Sequence, residues 1–321
     1  MLSDSPSRLI RMFSLHDLGH QQVRDLGFSC FGEPLITAFD QITGADAPAH
    51  CSLRLTAKRI AWLQQLDRRP DLLMNHIDRV RPRKLGHYHE ALWHFFLQQD
   101  DQVELLATNL QVNLAGRTIG EFDVIYHDLK ARRHVHLELA FKVYLQAPDH
   151  EASGLAQWLG PNVIDRLDRK LGHMLNHQCR LSGLDAGRQL LDSMGISEVA
   201  AEISLRGYLL RSGLLAQEGD LPGPLNPDLR FGRWLPVSRV IPLLDQAECW
   251  VPLSRLNWVS RLDPVLDDGY EPAGFANYLR QHFERSDAAL MVCALDNHGD
   301  GPAVERFRLM VAADCWPNCR G

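Results

Sequence analysis

No two of the seven cysteines, at 30, 51, 179, 249, 293, 315 and 319, stand in a C-x-x-C arrangement, and their number is odd. That spacing excludes a zinc ribbon and a disulfide framework. Free thiols in a reducing compartment fit better. No run approaches the ~18–20 uninterrupted apolar residues of a membrane-spanning helix. Residues 1–20 mix Asp, Arg and His and carry no apolar h-region, so no secretory signal is expected. The expected location is the cytoplasm, with no membrane partner. G-x-G-x-x-G, the P-loop and G-x-S-x-G are all missing, which leaves little support for a small-molecule enzyme of those classes. An excess of positive charge is missing too. The 34 Lys and Arg are outnumbered by 40 Asp and Glu, for a net charge of −6. No global basic field recruits nucleic acid, and any such binding must come from local patches.

What is present is an ordinary globular composition of 45% hydrophobic and 23% charged residues over 321 positions. That length allows one large domain or two ordinary ones. Three regions are expected: a helical N-terminal segment over 1–83, a core over 84–216, and a C-terminal α+β region over 228–321. Apolar spacing predicts helix within 14–40, broken near Gly32–Pro34. It predicts a helical hairpin over 55–80, broken at Arg69-Pro70. Residues 84–98 read as an amphipathic helix with Glu90 within it. Strands are expected at Val103–Val112, Glu121–His127 and His134–Leu145. A long helix over 163–181, a second near 185–193 and a strand at Glu202–Leu210 follow. Residues 217–227 are the linker candidate. Beyond them lie a helix near 273–283 and a hairpin of 288–295 with 304–312. The order from 84 to 210 is α, β, β, β, α, β, which gives a mixed α/β (α+β) sheet with helices packed on it.

The most informative segment is Gly120-Glu121-Phe122-Asp123-Val124-Ile125 followed by His136-Leu137-Glu138-Leu139-Ala140-Phe141-Lys142. Both alternate like strands, and a polar turn near Asp128–Arg133 separates them. Side chains alternate faces along a strand, so Glu138, Ala140 and Lys142 share one face. A turn centred on Lys130–Ala131 sets Asp123 almost opposite Glu138. Two carboxylates and a lysine on one hairpin suit a divalent cation, because hard oxygen ligands hold magnesium or manganese. Lys142 lies roughly 13 Å along an extended strand from Glu138, so it must lean back to serve the site. The alternative is that it is a structural ion-pair partner for Glu138. Glu90 can reach the pair from the helix or face solvent. Glu121 is a spare ligand or a solvated edge carboxylate. Among the nearby histidines His136 shares the Glu138 face, whereas His87, His89 and His94 cannot all converge. Arg166, Arg169 and Lys170 are candidates for a phosphate backbone, with pairing to Asp165 and Asp168 as the alternative. Arg79, Arg81, Arg83 and Lys84, and Lys130, Arg132 and Arg133, are further basic clusters.

At these residues the chain resembles the PD-(D/E)XK nuclease superfamily, whose core is αβββαβ, and more closely a bacterial family of unknown function, DUF1853, placed in it. The likeness rests on Lys84-Leu85-Gly86-His87-Tyr88-His89-Glu90, on Gly120-Glu121-Phe122-Asp123, on His136–Leu145, on Trp158-Leu159-Gly160-Pro161-Asn162 and on Asp165-Arg166-Leu167-Asp168. The resemblance implies a restriction-endonuclease-like core in which Asp123 matches the motif aspartate, Glu138 the motif acid and Glu90 the helix acid. Phe122 replaces the motif proline. Glu-x-x-x-Lys replaces Glu-x-Lys, which bears on activity more than on fold. The resemblance implies a magnesium- or manganese-dependent nuclease using Asp123, Glu138, Lys142 and Glu90. The alternative is a catalytically silent module of the same fold that binds nucleic acid or a protein.

Overall fold

The computed structural model describes residues 13–44, 47–148, 154–213, 223–262, 269–296 and 304–319. Its α-helices of seven residues or more are α1 (Gln21–Phe31), α2 (Ala57–Arg68), α3 (Asp71–Val80), α4 (Leu85–Gln99), α5 (Leu167–His173), α6 (Asp185–Ser193) and α7 (Pro272–Arg285). Its strands are β1 (Ala49–His50), β2 (Val103–Leu114), β3 (Arg117–Asp128), β4 (Arg133–Gln146), β5 (Trp158–Leu159), β6 (Val199–Ser212), β7 (Gly232–Pro236), β8 (Cys249–Pro252), β9 (Leu290–Asp296) and β10 (Val304–Ala312). The expected order from α4 to β6 is present, and the strand pairings are both parallel and antiparallel. No described helix is long and apolar enough to cross a membrane.

The chain divides into two compact units that interleave in sequence. The first comprises 1–141, 170–206 and 223–229, and the second 142–169, 207–222 and 230–321. Strands β4 and β6 contribute residues to both. The expected linker lies partly at 217–222, outside the described residues.

In the first unit, α2 and α3 are separated at Arg69-Pro70, where proline withdraws a backbone donor and disfavours helix in the residue before it. Helix α4 buries Tyr88, His89, Leu92, Trp93, Phe95 and Phe96. Two polar anchors fix it against α1. The Tyr88 hydroxyl donates to Asp25 at 2.8 Å, and the Trp93 indole N–H donates to the Ser29 carbonyl at 3.0 Å. Those buried faces leave Glu90 on a half-exposed side of the helix.

Strand β3 pairs antiparallel with β2 and with β4. Asp128 builds the β3–β4 turn, its Oδ1 accepting from the N–H groups of Lys130 and Ala131 at 3.0 and 2.8 Å. Arg132 completes it at φ +55°. The ladder runs from Asp128↔Arg133 to Val124↔Leu137. Asp123 and Glu138 are the next positions in that register. Phe122 is buried with Val112, Ile125, Leu181, Leu191 and Ile196. That cluster fixes the strand beside Asp123.

In the second unit β6 and β10 flank β7 in parallel, and β9 pairs antiparallel with β10 and β8. Helix α7 seals Phe275 and Leu279 against Trp250 and Val292. The expected C-terminal hairpin is thus present as β9 and β10; its turn lies outside the described residues. Gly207 of β6 has φ +135°, and a Cβ there would sit 1.7 Å from the Lys142 carbonyl oxygen. Backbone meets backbone at that point, so nothing can yield. Gly207→Ala is expected to destabilise the protein by about 2–4 kcal/mol, read as a lower denaturant midpoint with an unchanged m-value.

Two expectations need correction. The helix predicted over 163–181 does not begin until Leu167. Val163 has φ +64°, and Gly160 N–H donates to the Asp165 carbonyl at 2.7 Å, closing a loop instead. The helix also ends early, in a π turn at Met174–Gln178. Cys315 and Cys319, expected as free thiols, form a disulfide with Cα atoms 4.9 Å apart. A four-residue step across a turn brings their side chains together, which a search for C-x-x-C overlooks. The other five cysteines are free.

Candidate active site

Antiparallel register is what brings the acids together. Just beyond the last laddered pair, the Asp123 carboxylate accepts from the Leu139 N–H at 2.9 Å. This satisfies a backbone donor at the point where the ladder ends and fixes the carboxylate beside Glu138. Glu138 is fully buried. Its Oε1 lies 2.7 Å from His136 Nε2, and its Oε2 accepts from the Gln178 amide at 2.5 Å. Lys170 Nζ donates to the other end of that amide, Gln178 Oε1, at 3.1 Å. A polar chain therefore runs Lys170, Gln178, Glu138, His136.

The electrostatics follow from burial. Asp123 is pushed up to about 7 by desolvation and by the charge of Glu138, with the Leu139 N–H and Lys170 opposing. Glu138 is likewise pushed up to about 7 by desolvation, with Lys170 opposing. Glu90 rises to about 7 through desolvation and the charge of Asp123. His136 is lowered to about 4 by desolvation, so its ring is neutral near pH 7. A neutral imidazole bonded at Nε2 donates to the carboxylate; its Nδ1 has no protein partner. One lysine faces three half-ionised carboxylates, and a bound cation would relieve that excess of negative charge.

The titrations set a pH dependence of stability. An ordinary carboxylate ionises near pH 4 in the unfolded chain, whereas these three keep their protons to about 7 in the folded protein. The stabilisation they provide is complete below pH 4 and is lost as pH rises toward 7. The buried histidines act oppositely below about 6.5, because the folded protein resists their protonation. The difference between Glu138→Gln and wild type isolates the carboxylate. In chelator, the melting temperature of Glu138→Gln is expected to gain on wild type by several degrees between pH 5 and pH 8. A constant difference across that range would refute the burial argument.

The sequence-derived residues distribute unevenly. Asp123, Glu138 and His136 are brought together as the strand register requires. Glu90 joins them electrostatically. Lys142 is engaged elsewhere: its ammonium lies 2.6 Å from Asp165, which also accepts from the Tyr144 hydroxyl at 3.3 Å. Arg166 grips Asp168 through two bonds of 2.6 and 2.8 Å, the pairing weighed against phosphate binding. Arg169 is exposed. Lys170 is the lysine whose charge is felt by Glu90, Asp123 and Glu138. Gln178 escaped the sequence reading. It reaches Glu138 because the π turn, closed by Cys179 N–H to the Met174 carbonyl at 2.9 Å, widens the last turn of the helix.

The donor chemistry fits magnesium or manganese, which take one or two carboxylates and retain water. Asp123 and Glu138 would hold the cation. Glu90, Asp123 and Glu138 do not close to within 4.8 Å as a set; among the described residues that spacing is met by Asp287, Cys315 and Cys319. Thiol ligands must be thiolates, so the joined Cys315 and Cys319 offer none while oxidised.

A family model described as "Domain of unknown function (DUF1853)" matches residues 24–312. No curated protein and no solved structure matches the chain.

Proposed function

Because the chain belongs to the DUF1853 family, whose description assigns no activity, we propose from its site that it is a metal-dependent nuclease hydrolysing phosphodiesters of DNA or RNA. The observation that carries this is the β3–β4 register that sets Asp123 beside Glu138, with Gln178 donating to the Glu138 carboxylate and Lys170 donating to Gln178. The likeness of the α4-to-β6 order to a PD-(D/E)XK core supports it, as fold-level analogy.

Asp123 and Glu138 would hold magnesium or manganese, which supplies an acidified water and neutralises charge on the phosphate. Leu139 N–H orients Asp123, which also shares a side-chain hydrogen bond with Glu138; a cation would take the place of the proton the two acids share. His136 and Gln178 orient Glu138, whose carboxylate also meets the backbone and the side chain of Asp123. Lys170 offers a positive charge to the phosphate oxygens as negative charge develops on them. Lys142 holds Asp165 and the chain before α5 in place.

The test is incubation of purified protein with single- and double-stranded DNA and RNA, with magnesium, manganese or chelator. Metal-dependent cleavage of any one of them is the expected result. Absence of cleavage of all of them would favour a silent module of this fold that binds nucleic acid or protein. One observation leans that way: both oxygens of Glu138 already have side-chain partners within the protein.

A further inference from the structure

A cleft of about 570 Å³ opens in the first unit beside α4. Its rim includes Arg81, Arg83 and Lys84 from the segment joining α3 to α4, and Asn109 from β2. Glu90 of α4 and Glu121 of β3 also line it. Arg81, Arg83 and Lys84 are exposed, and none forms an ion pair among the described residues. Arg81 spends its Nε on the Asp78 carbonyl at 3.2 Å. His87 and His94 line the same cleft as Glu90, because three-, four- and seven-residue steps share a helix face; only His89 points into the core. His94 Nε2 is buried without a protein partner.

Exposed cations with no carboxylate partner of their own among the described residues are free to attract an anion from solution. An anionic backbone bound against Arg83 and Lys84 is the ligand those charges suit. Glu121, which lines the cleft, stands two residues before Asp123 on β3, and side chains two apart on a strand share a face. We propose that this cleft seats the sugar–phosphate backbone of a single nucleic-acid strand and leads it to the Asp123–Glu138 pair. This rests on the nuclease reading for its destination but not for its binding. The size suits one or two nucleotides of single strand and is too small for a duplex. Small-ligand clefts of about 300–1,000 Å³ enclose most of what they bind. Unpaired bases bring donor and acceptor edges that a duplex hides, and His87, His94 and Asn109 are placed to meet them. A chain of net charge −6 must hold a polyanion through such a local cluster.

The experiment measures binding of fluorescein-labelled oligo-dT, oligo-U and a mixed-sequence duplex by anisotropy in chelator, where no metal-dependent cleavage occurs. The proteins compared are wild type, Arg83→Ala with Lys84→Ala, and Arg166→Ala with Arg169→Ala. The first pair is exposed, so folding is retained, checked by melting temperature. Loss of the first pair is expected to weaken single-strand binding roughly tenfold and to reduce the salt slope by about 1.4, or 0.7 per phosphate contact. The second pair is expected to leave both nearly unchanged, and the oligo-dT and oligo-U arms tell DNA from RNA. Wild-type binding that survives the first double substitution overturns the cleft assignment, even if metal-dependent cutting is found. Duplex binding as tight as single-strand binding overturns it also. Loss of single-strand binding in that variant, alongside a wild type that cuts nothing, supports the cleft and sinks the nuclease reading alone.

Discussion

Asp123→Asn and Glu138→Gln are each expected to lower metal-dependent cleavage by roughly 10³-fold or more. A catalytic cation is worth several kcal/mol of transition-state stabilisation, and about 1.4 kcal/mol is a factor of ten in rate. Each substitution keeps the side-chain shape and removes the charge a cation needs. The double variant is expected to match either single variant, because ligands of one cation act as a unit and their losses do not add. Neither variant is expected to melt below wild type at pH 8 in chelator, where each removes a buried, half-ionised acid. Single-turnover assays with manganese, beside melting curves, decide the matter. Cleavage by either variant at the wild-type rate would overturn the assignment of these carboxylates.

Lys170→Ala is expected to cost about 10²–10³ in the cleavage rate, the range for removing one preorganised electrostatic donor. Lys142→Ala is expected to cost less than about tenfold. The two lysines differ in whom they serve. Lys170 donates to Gln178, which donates to Glu138, whereas Lys142 is spent on Asp165. Lys170 also holds down the pKa values of Glu90, Asp123 and Glu138. Its loss should therefore move the rising limb of the pH–rate profile to higher pH, a change that a merely structural role would not produce. The opposite ranking, with Lys142→Ala the more damaging, would return the catalytic lysine to β4 and refute the role given to Lys170.

The strand pattern and the turn were legible because both are local. Alternation over 121–127 and 134–145 marks β3 and β4, and the polar run between them can close in few ways. Centring the turn on Lys130–Ala131 predicts the pairing of Val124 with Leu137 that the structure has, and with it the place of Asp123 next to Glu138. Helix α4 was legible from its apolar stripe, although the same stripe conceals that His87 and His94 flank Glu90. What sequence could not yield depends on contacts between distant segments. The chain of Lys170, Gln178 and Glu138 depends on a helix that starts four residues late and ends in a π turn, and neither event has a local apolar signature. The start is delayed where Asp165 turns to Lys142 and Tyr144. Apolar spacing over 163–181 continues smoothly past that point. The interleaving of the two units through β4 and β6 is similarly invisible to a reading that moves along the chain one segment at a time.

The bond from Leu139 N–H to the Asp123 carboxylate makes one main-chain amide a reporter on the acidic pair. A proton or a cation arriving at Asp123 withdraws electron density from the oxygen that this amide faces. The Leu139 nitrogen and proton resonances should therefore titrate in chelator with a midpoint near that of Asp123, about 7. Magnesium should displace them at constant pH, in a protein labelled only at leucine nitrogen. Occupancy of the site then becomes visible without a substrate, a cleavage assay or an altered side chain.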